Sequence, residues 1–186
     1  MERYMLMLLY AAKGKIRGKL WLQKEMFELS KNFPELADEL DFDAYNYGPF
    51  SEGLEEYRDM LENSGLILGL ELTDKGRKIA EDLWKCENEE NKEIIKGVVE
   101  FLENLEKDEL LLYIYAITPE MAERSDVKEK ILQRRLDIAL RMLKNGKIST
   151  GLAAKLAGIP YNVLLDEALK QGIKPFDIQG DEADNN

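Results

Sequence analysis

Apolar residues recur along this chain at helical spacing in almost every segment, and the breaks fall at glycine and proline. Tyr4, Leu8 and Ala11, with Met5, Leu9 and Ala12 beside them, make one stripe, which Gly14 and Gly18 interrupt. Leu20 to Lys31 repeats the pattern through Leu22, Met26, Phe27 and Leu29, and Pro34 lies beyond its end. Tyr45-Asn46-Tyr47-Gly48-Pro49-Phe50 reads as a turn whose aromatics pack on both sides. Ser51 can then cap a helix with Leu54, Tyr57, Met60 and Leu61 on its apolar face, ended by Gly65. Leu66 to Leu72 is apolar with Gly69 at its middle, as in a small hairpin. Thr73 or Asp74 starts a further helix through Ile79, Ala80, Leu83 and Trp84. Helix, helix, helix, hairpin, helix is the order of a winged helix.

The second half is helical throughout. Ile94, Ile95, Val98, Val99, Leu102 and Leu105 form the wide stripe of an amphipathic helix, and Asp108 can cap the next one. Leu110 to Ile117 is apolar all round, which predicts core burial. Ser125 can cap a long helix to Lys144, with Leu132, Leu136, Ala139 and Leu143 on one face and Lys130, Arg134, Asp137, Arg141 and Lys144 on another. The Asn145-Gly146 step stops it. The stretch Gly146 to Ile159 is built like the first helix and turn of a helix-turn-helix: Ser149 or Thr150 caps it, small residues follow, and Gly158 supplies the left-handed turn. Pro160 suits the start of a second helix running to about Gln171, with Leu164, Leu165, Ala168 and Leu169 facing inward. The expected fold is mainly α: a winged helix with a small β-hairpin, then a helical region ending in a helix-turn-helix. The corresponding segments are 1–86, a connector over 87–124, the long basic helix and helix-turn-helix over 125–175, and a polar tail over 176–186.

Composition narrows the chemistry. The chain has 186 residues, 45% hydrophobic and 34% charged, which suits a folded globular protein rather than a disordered one. It contains no histidine, so the commonest general base, imidazole metal ligands and the usual partner of a Ser or Cys nucleophile are missing. The lone cysteine, Cys86, forms neither an intrachain disulfide nor a Cys-x-x-Cys zinc site. Neither a Gly-x-x-x-x-Gly-Lys-[Ser/Thr] nor a Gly-x-Gly-x-x-Gly phosphate loop occurs. The carboxylates recur on helical faces, and no spacing among them selects a catalytic site. No enzyme activity, cofactor or metal is therefore expected. No apolar run reaches the length of a bilayer and no secretory leader is evident, so a cytoplasmic protein is expected.

Two short patterns carry resemblances. Tyr-Gly-Pro-Phe-Ser over 47–51, followed by Leu54, Leu61, Gly65, Leu66 and Ile67, with Leu20 and Gln23 upstream and Leu72-Thr73-x-x-Gly76 downstream, resembles the winged-helix modules of Panacea-type antitoxins and related phage-associated proteins. Gly146-Lys147-Ile148-Ser149 with Ala153-Ala154-x-Leu156-Ala157-Gly158-Ile159 and the closing Gly172-Ile173 is similar to small prokaryotic antitoxins encoded beside PIN-like nucleases. The first resemblance spans the N-terminal half and the second spans about 132–174. Together they imply a binding protein whose partner is DNA or a toxin.

Charge separates those partners. A net charge of −11 makes the average surface repel phosphate, so DNA contact requires a local basic face. Lys13, Lys15, Arg17, Lys19 and Lys24 form one basic stretch, and a second runs from Lys128 to Lys155. The helix before the hairpin, normally the one that enters the major groove, carries Glu52, Glu55, Glu56, Asp59 and Glu62 against Arg58 alone. The expected DNA contacts are therefore Lys130, Arg134, Arg141, Lys144, Lys147, Lys155, Asn162 and Lys170, in a dimeric transcriptional regulator. The alternative is an antitoxin-like module that binds a partner protein through Glu52, Glu55, Glu56 and Asp59. Arginines and lysines neutralised by intramolecular pairing would favour that alternative.

Overall fold

A computed structural model describes residues 1–174. The polar tail expected over 176–186, and the last residue of the segment before it, lie outside the described residues. The chain is mainly helical with two small antiparallel hairpins. In order, the elements are α1 (Glu2–Ala11), α2 (Lys19–Ser30), α3 (Pro34–Leu40), β1 (Asp43–Tyr45), β2 (Gly48–Phe50), α4 (Glu52–Asn63), β3 (Ile67–Leu68), β4 (Glu71–Leu72), α5 (Asp74–Cys86) and α6 (Glu89–Glu103). There follow α7 (Lys107–Ile117), a 3-10 turn (Pro119–Ala122), α8 (Lys128–Gln133), α9 (Arg135–Lys144), α10 (Thr150–Ala157) and α11 (Tyr161–Lys170).

Two apolar cores organise these elements. α1 is the centre of the first: Tyr4 to Leu9 are buried in succession, so the helix is enclosed by α4, α5, α6 and β4 rather than showing one stripe to the interior. Ile16, Leu22, Leu36, Leu54, Leu61 and Ile67 complete it. The second core gathers Leu110, Leu111, Ile114, Ile138, Met142, Ala153, Leu156 and Leu164 from α7, α9, α10 and α11. α6 joins the two, giving Ile95 and Val99 to the first and Leu102 to the second.

Local sequence sets most element ends. The hydroxyls of Ser51, Thr73 and Ser149 accept from the backbone N–H of Leu54, Gly76 and Leu152, capping α4, α5 and α10. Gly76 has a second reason to be glycine, because a Cβ there would lie 1.8 Å from the Leu66 carbonyl oxygen. The turn between α10 and α11 uses Gly158 at φ +66°, with the Arg135 guanidinium packed directly beneath it. Arg135 Nε donates to the Leu156 carbonyl at 2.9 Å, placing a cation at the negative end of α10.

Several expectations are corrected. The long helix from Ser125 to Lys144 is two helices, α8 and α9, divided at Arg134 (φ −106°, ψ 10°). Ser125 is no cap for them: its hydroxyl sits 2.6 Å from the Tyr115 hydroxyl and donates to the Asn46 carbonyl, tying this turn to the first hairpin. Residues 45–50 form more than a turn. β1 and β2 pair there with Asp43 opposite Phe50 and Tyr45 opposite Gly48, and Tyr45 and Tyr47 point outward, 52% and 40% exposed. Met60 and Leu169, read as inward-facing, are 52% and 61% exposed. Asp108 does not cap α7. Glu106 is the N-cap, in a capping box in which the Glu109 carboxylate accepts from the Glu106 N–H at 2.9 Å.

Candidate functional site

Four of the seven cations expected to meet DNA, Arg134, Arg141, Lys147 and Lys170, are paired within the chain. Glu109 is 1% exposed and holds two of them, with Arg141 Nε at 3.0 Å and Lys147 Nζ at 2.7 Å. Asp108 takes Arg141 Nη2 at 2.6 Å and lies 3.8 Å from Arg134. Burial raises the Glu109 pKa, but bonds from Lys147, the Glu106 N–H and Arg141 outweigh it and leave the carboxyl below its ordinary value. Lys170 is paired with Glu167 at 2.6 Å on α11. Lys130, Lys144, Lys155 and Asn162 are exposed, and among the described residues these three lysines make no ion pair. The outer face of α11 is a poor match to phosphate: Tyr161, Val163 and Leu169 are exposed there beside Asp166.

Four of the five cations of the N-terminal basic stretch are likewise engaged within the chain, and Lys13 is exposed with no ion pair among the described residues. Lys15 pairs with Glu71 at 3.0 Å, and Arg17 pairs with Glu106 at 2.9 Å while stacking on Trp21. Lys19 pairs with Glu55 at 3.0 Å. Lys24 is buried and donates to the Pro49 carbonyl at 2.7 Å.

Around the β1–β2 hairpin the opposite balance holds. Glu52 and Glu56 at the start of α4 are exposed, and Asp59 is exposed although Arg58 reaches it. Glu55, expected on the same binding face, is turned inward instead. Lys19, Gln23 and Arg58 hold it, and although burial pushes its pKa up, the bonds from Lys19 and Gln23 bring it below the ordinary value. Beside α4 lies a cleft of ≈ 400 Å³ lined by Glu39, Asp41, Asp43 and Glu52, with Tyr45 and Phe50 along one wall and Arg124 at its edge. No group of three or more Asp, Glu or Cys side chains among the described residues is arranged to hold a metal. The cleft is thus an acidic surface rather than a coordination site.

Tyr45 and Phe50, with ring centroids 5.2 Å apart, separate this cleft from a second one of ≈ 390 Å³ on the other side of the hairpin. Leu20, Tyr45, Tyr47, Gly48 and Phe50 make its walls largely apolar, and Lys19, Gln23, Lys24, Asn46 and Glu55 supply the polar groups. Gln23 fixes the geometry. Its side-chain amide accepts from the Ser51 N–H at 2.9 Å and donates to the Ser51 carbonyl at 3.0 Å, clamping α2 to the junction of β2 and α4.

The buried polar triplet Gln23-Lys24-Glu25 is the feature that periodicity missed. α2 packs against α3, α6 and β2 and so has little solvent face, and three residues that look like a helix surface are enclosed. Gln23 belongs to the quoted resemblance, which was its one signal. Glu25 is fully buried, neither carboxyl oxygen has a hydrogen-bond partner, and burial together with the Glu103 carboxylate raises its pKa well above the ordinary value. The folded state therefore retains a proton that the unfolded chain releases above about pH 4.5. This group's contribution to stability falls as pH rises from there toward its folded pKa. Glu25→Gln is expected to match wild type near pH 4 and to become progressively more stable than wild type at higher pH. Urea unfolding of both proteins at several pH values checks this, and a gap independent of pH contradicts it.

No family model matches the chain, and no curated protein or solved structure matches it either. No described helix is long and apolar enough to cross a membrane.

Proposed function

We propose that this protein is a binding module of the antitoxin kind, in which a winged-helix-like N-terminal unit captures a basic segment of a partner protein. The unit runs α1, α2, α3, the β1–β2 hairpin, α4, the β3–β4 hairpin and α5, which resembles a winged helix with one extra helix, α3, and one extra hairpin inserted before α4. The observation that carries the reading is the distribution of unpaired charge. Arg141, Lys147, Lys15, Arg17 and Lys19 are paired with carboxylates of the same chain and Lys130, Lys144 and Lys155 are the exposed lysines left on the C-terminal face, whereas Glu52 and Glu56 stand exposed beside the cleft of Glu39, Asp41 and Asp43. Pressing that face onto DNA costs repulsion, while a lysine- or arginine-bearing surface gains from it.

The C-terminal pair α10–α11 has helix-turn-helix form, and in this reading it serves packing. Its second helix presents Tyr161, Val163 and Leu169, and its one lysine, Lys170, is paired with Glu167. The test is a fluorescence-anisotropy titration of duplex DNA from upstream of its own gene across a salt series. The expected result is only weak binding, with Arg134→Glu/Arg141→Glu no weaker than wild type. Tight, sequence-specific binding that collapses with salt and with those two reversals would establish the regulator reading instead.

A further inference from the structure

We propose that the cleft between α2 and the β1–β2 hairpin binds a carboxylate carried on a small aromatic or apolar body, with Lys24 as its counter-ion. This does not rest on the acidic face, which lies on the far side of Tyr45 and Phe50. Lys24 is 2% exposed, has no carboxylate partner, and makes a single hydrogen bond, to the Pro49 carbonyl. An ammonium has three donors, so its capacity is unfilled. Burial alone pulls its pKa down to about 7, which marks a cation held without compensation.

That residue lines an open cleft, and the surroundings favour an anion there despite the acidity of the chain. Two lysines, Lys19 and Lys24, line the cleft with a single carboxylate, Glu55, and that carboxylate is already neutralised by Lys19 at 3.0 Å and by Arg58 at 3.3 Å. Lys19, Leu20, Gln23 and Lys24 also belong to the first turns of α2, the positive end of a 12-residue helix that carries no acid in its first turn. The walls define the remainder of the ligand. Tyr45, Tyr47, Phe50 and Leu20 offer flat apolar faces, and a volume of ≈ 390 Å³ is at the small end for a ligand site, suited to one aromatic group. A free aromatic acid and the last residue of a polypeptide both carry this chemistry.

The probes are N-acetylphenylalanine and its amide, and a peptide ending in phenylalanine with a free or an amidated terminus, each titrated into the full chain. The readouts are calorimetry and the amide chemical shifts of Tyr47 and Gly48. Expected is saturable binding of at least one free acid with shifts at Gly48, with the matching amide at least about tenfold weaker. Binding of the amino acid alone assigns the site to a small molecule, and binding of the peptide with higher affinity assigns it to a chain terminus. Lys24→Met, checked for folding by circular dichroism, is expected to abolish the preference for acid over amide. Tyr47→Ala, on the exposed rim, is expected to weaken both forms. No binding of any free acid at about 10 mM, or equal binding of acid and amide by wild type, overturns the proposal without requiring any variant to fold.

Discussion

Glu109→Ala is expected to destabilise the chain by about 3 kcal/mol, the largest effect of any single charged residue here. Its carboxylate is buried and satisfies Lys147, Arg141 and the N–H of Glu106, the N-cap of α7, together. Removing it leaves Lys147, 13% exposed, without a counter-charge and breaks the capping box of α7, whose Leu110, Leu111 and Ile114 belong to the second core. The figure sits at the lower end for a broken buried ion pair, because Arg141 is 39% exposed and keeps both water and Asp108. The pH dependence follows from the sign of the shift. The folded pKa is depressed, so the contribution is present above about pH 4.5 and is lost as pH falls through the folded value. Urea unfolding at pH 7 and pH 3 measures both effects. A wild-type advantage that persists unchanged at low pH contradicts the ion-pair account.

The second large effect concerns the partner. Glu52→Lys/Glu56→Lys/Asp59→Lys changes the charge of one exposed face by six units while leaving the apolar residues of α4, Leu54 and Leu61, untouched. If a basic segment docks there, attraction becomes repulsion, and loss of affinity by at least about a hundredfold is expected. Stability is expected to change little, because none of the three is buried and Arg58 retains Glu55 and Glu62. The reversal of Glu55 is deliberately left out, since that residue is held by Lys19 and Gln23 and its loss would confound folding with binding.

What the sequence disclosed was local. Caps at Ser51, Thr73 and Ser149 and the left-handed glycines at 65, 146 and 158 are decided by the few residues around them, and they stand where capping chemistry placed them. The errors occur where a distant group wins. Asp108 has the chemistry of a cap, yet Arg141 from α9 takes its carboxylate. Ser125 has the same chemistry and is drawn instead to Tyr115 and Asn46, so the helix expected to begin there starts later and divides at Arg134. The three-residue strands β1 and β2 are too short to show an alternation, and only the turn between them was legible.

The candidate site follows the same rule. A stripe of lysines and arginines is visible in the sequence, but whether each is free or paired depends on which carboxylates the fold brings opposite, and Asp108 and Glu109 lie more than twenty residues before Arg134 and Arg141. Burial of Gln23, Lys24 and Glu25 is likewise set by α6 and the first hairpin, neither of which is adjacent in the chain.

In this reading the acidic face around α4, and not the basic face of α8, α9 and α10, meets the partner. The most direct measurement co-expresses the chain with the product of the neighbouring gene and compares co-purification by wild type, Glu52→Lys/Glu56→Lys/Asp59→Lys and Lys130→Glu/Lys144→Glu/Lys155→Glu. A complex is expected with wild type and with the lysine reversals, and none with the α4 reversals. Retention by the α4 variant, with loss on reversing the three lysines, would contradict it.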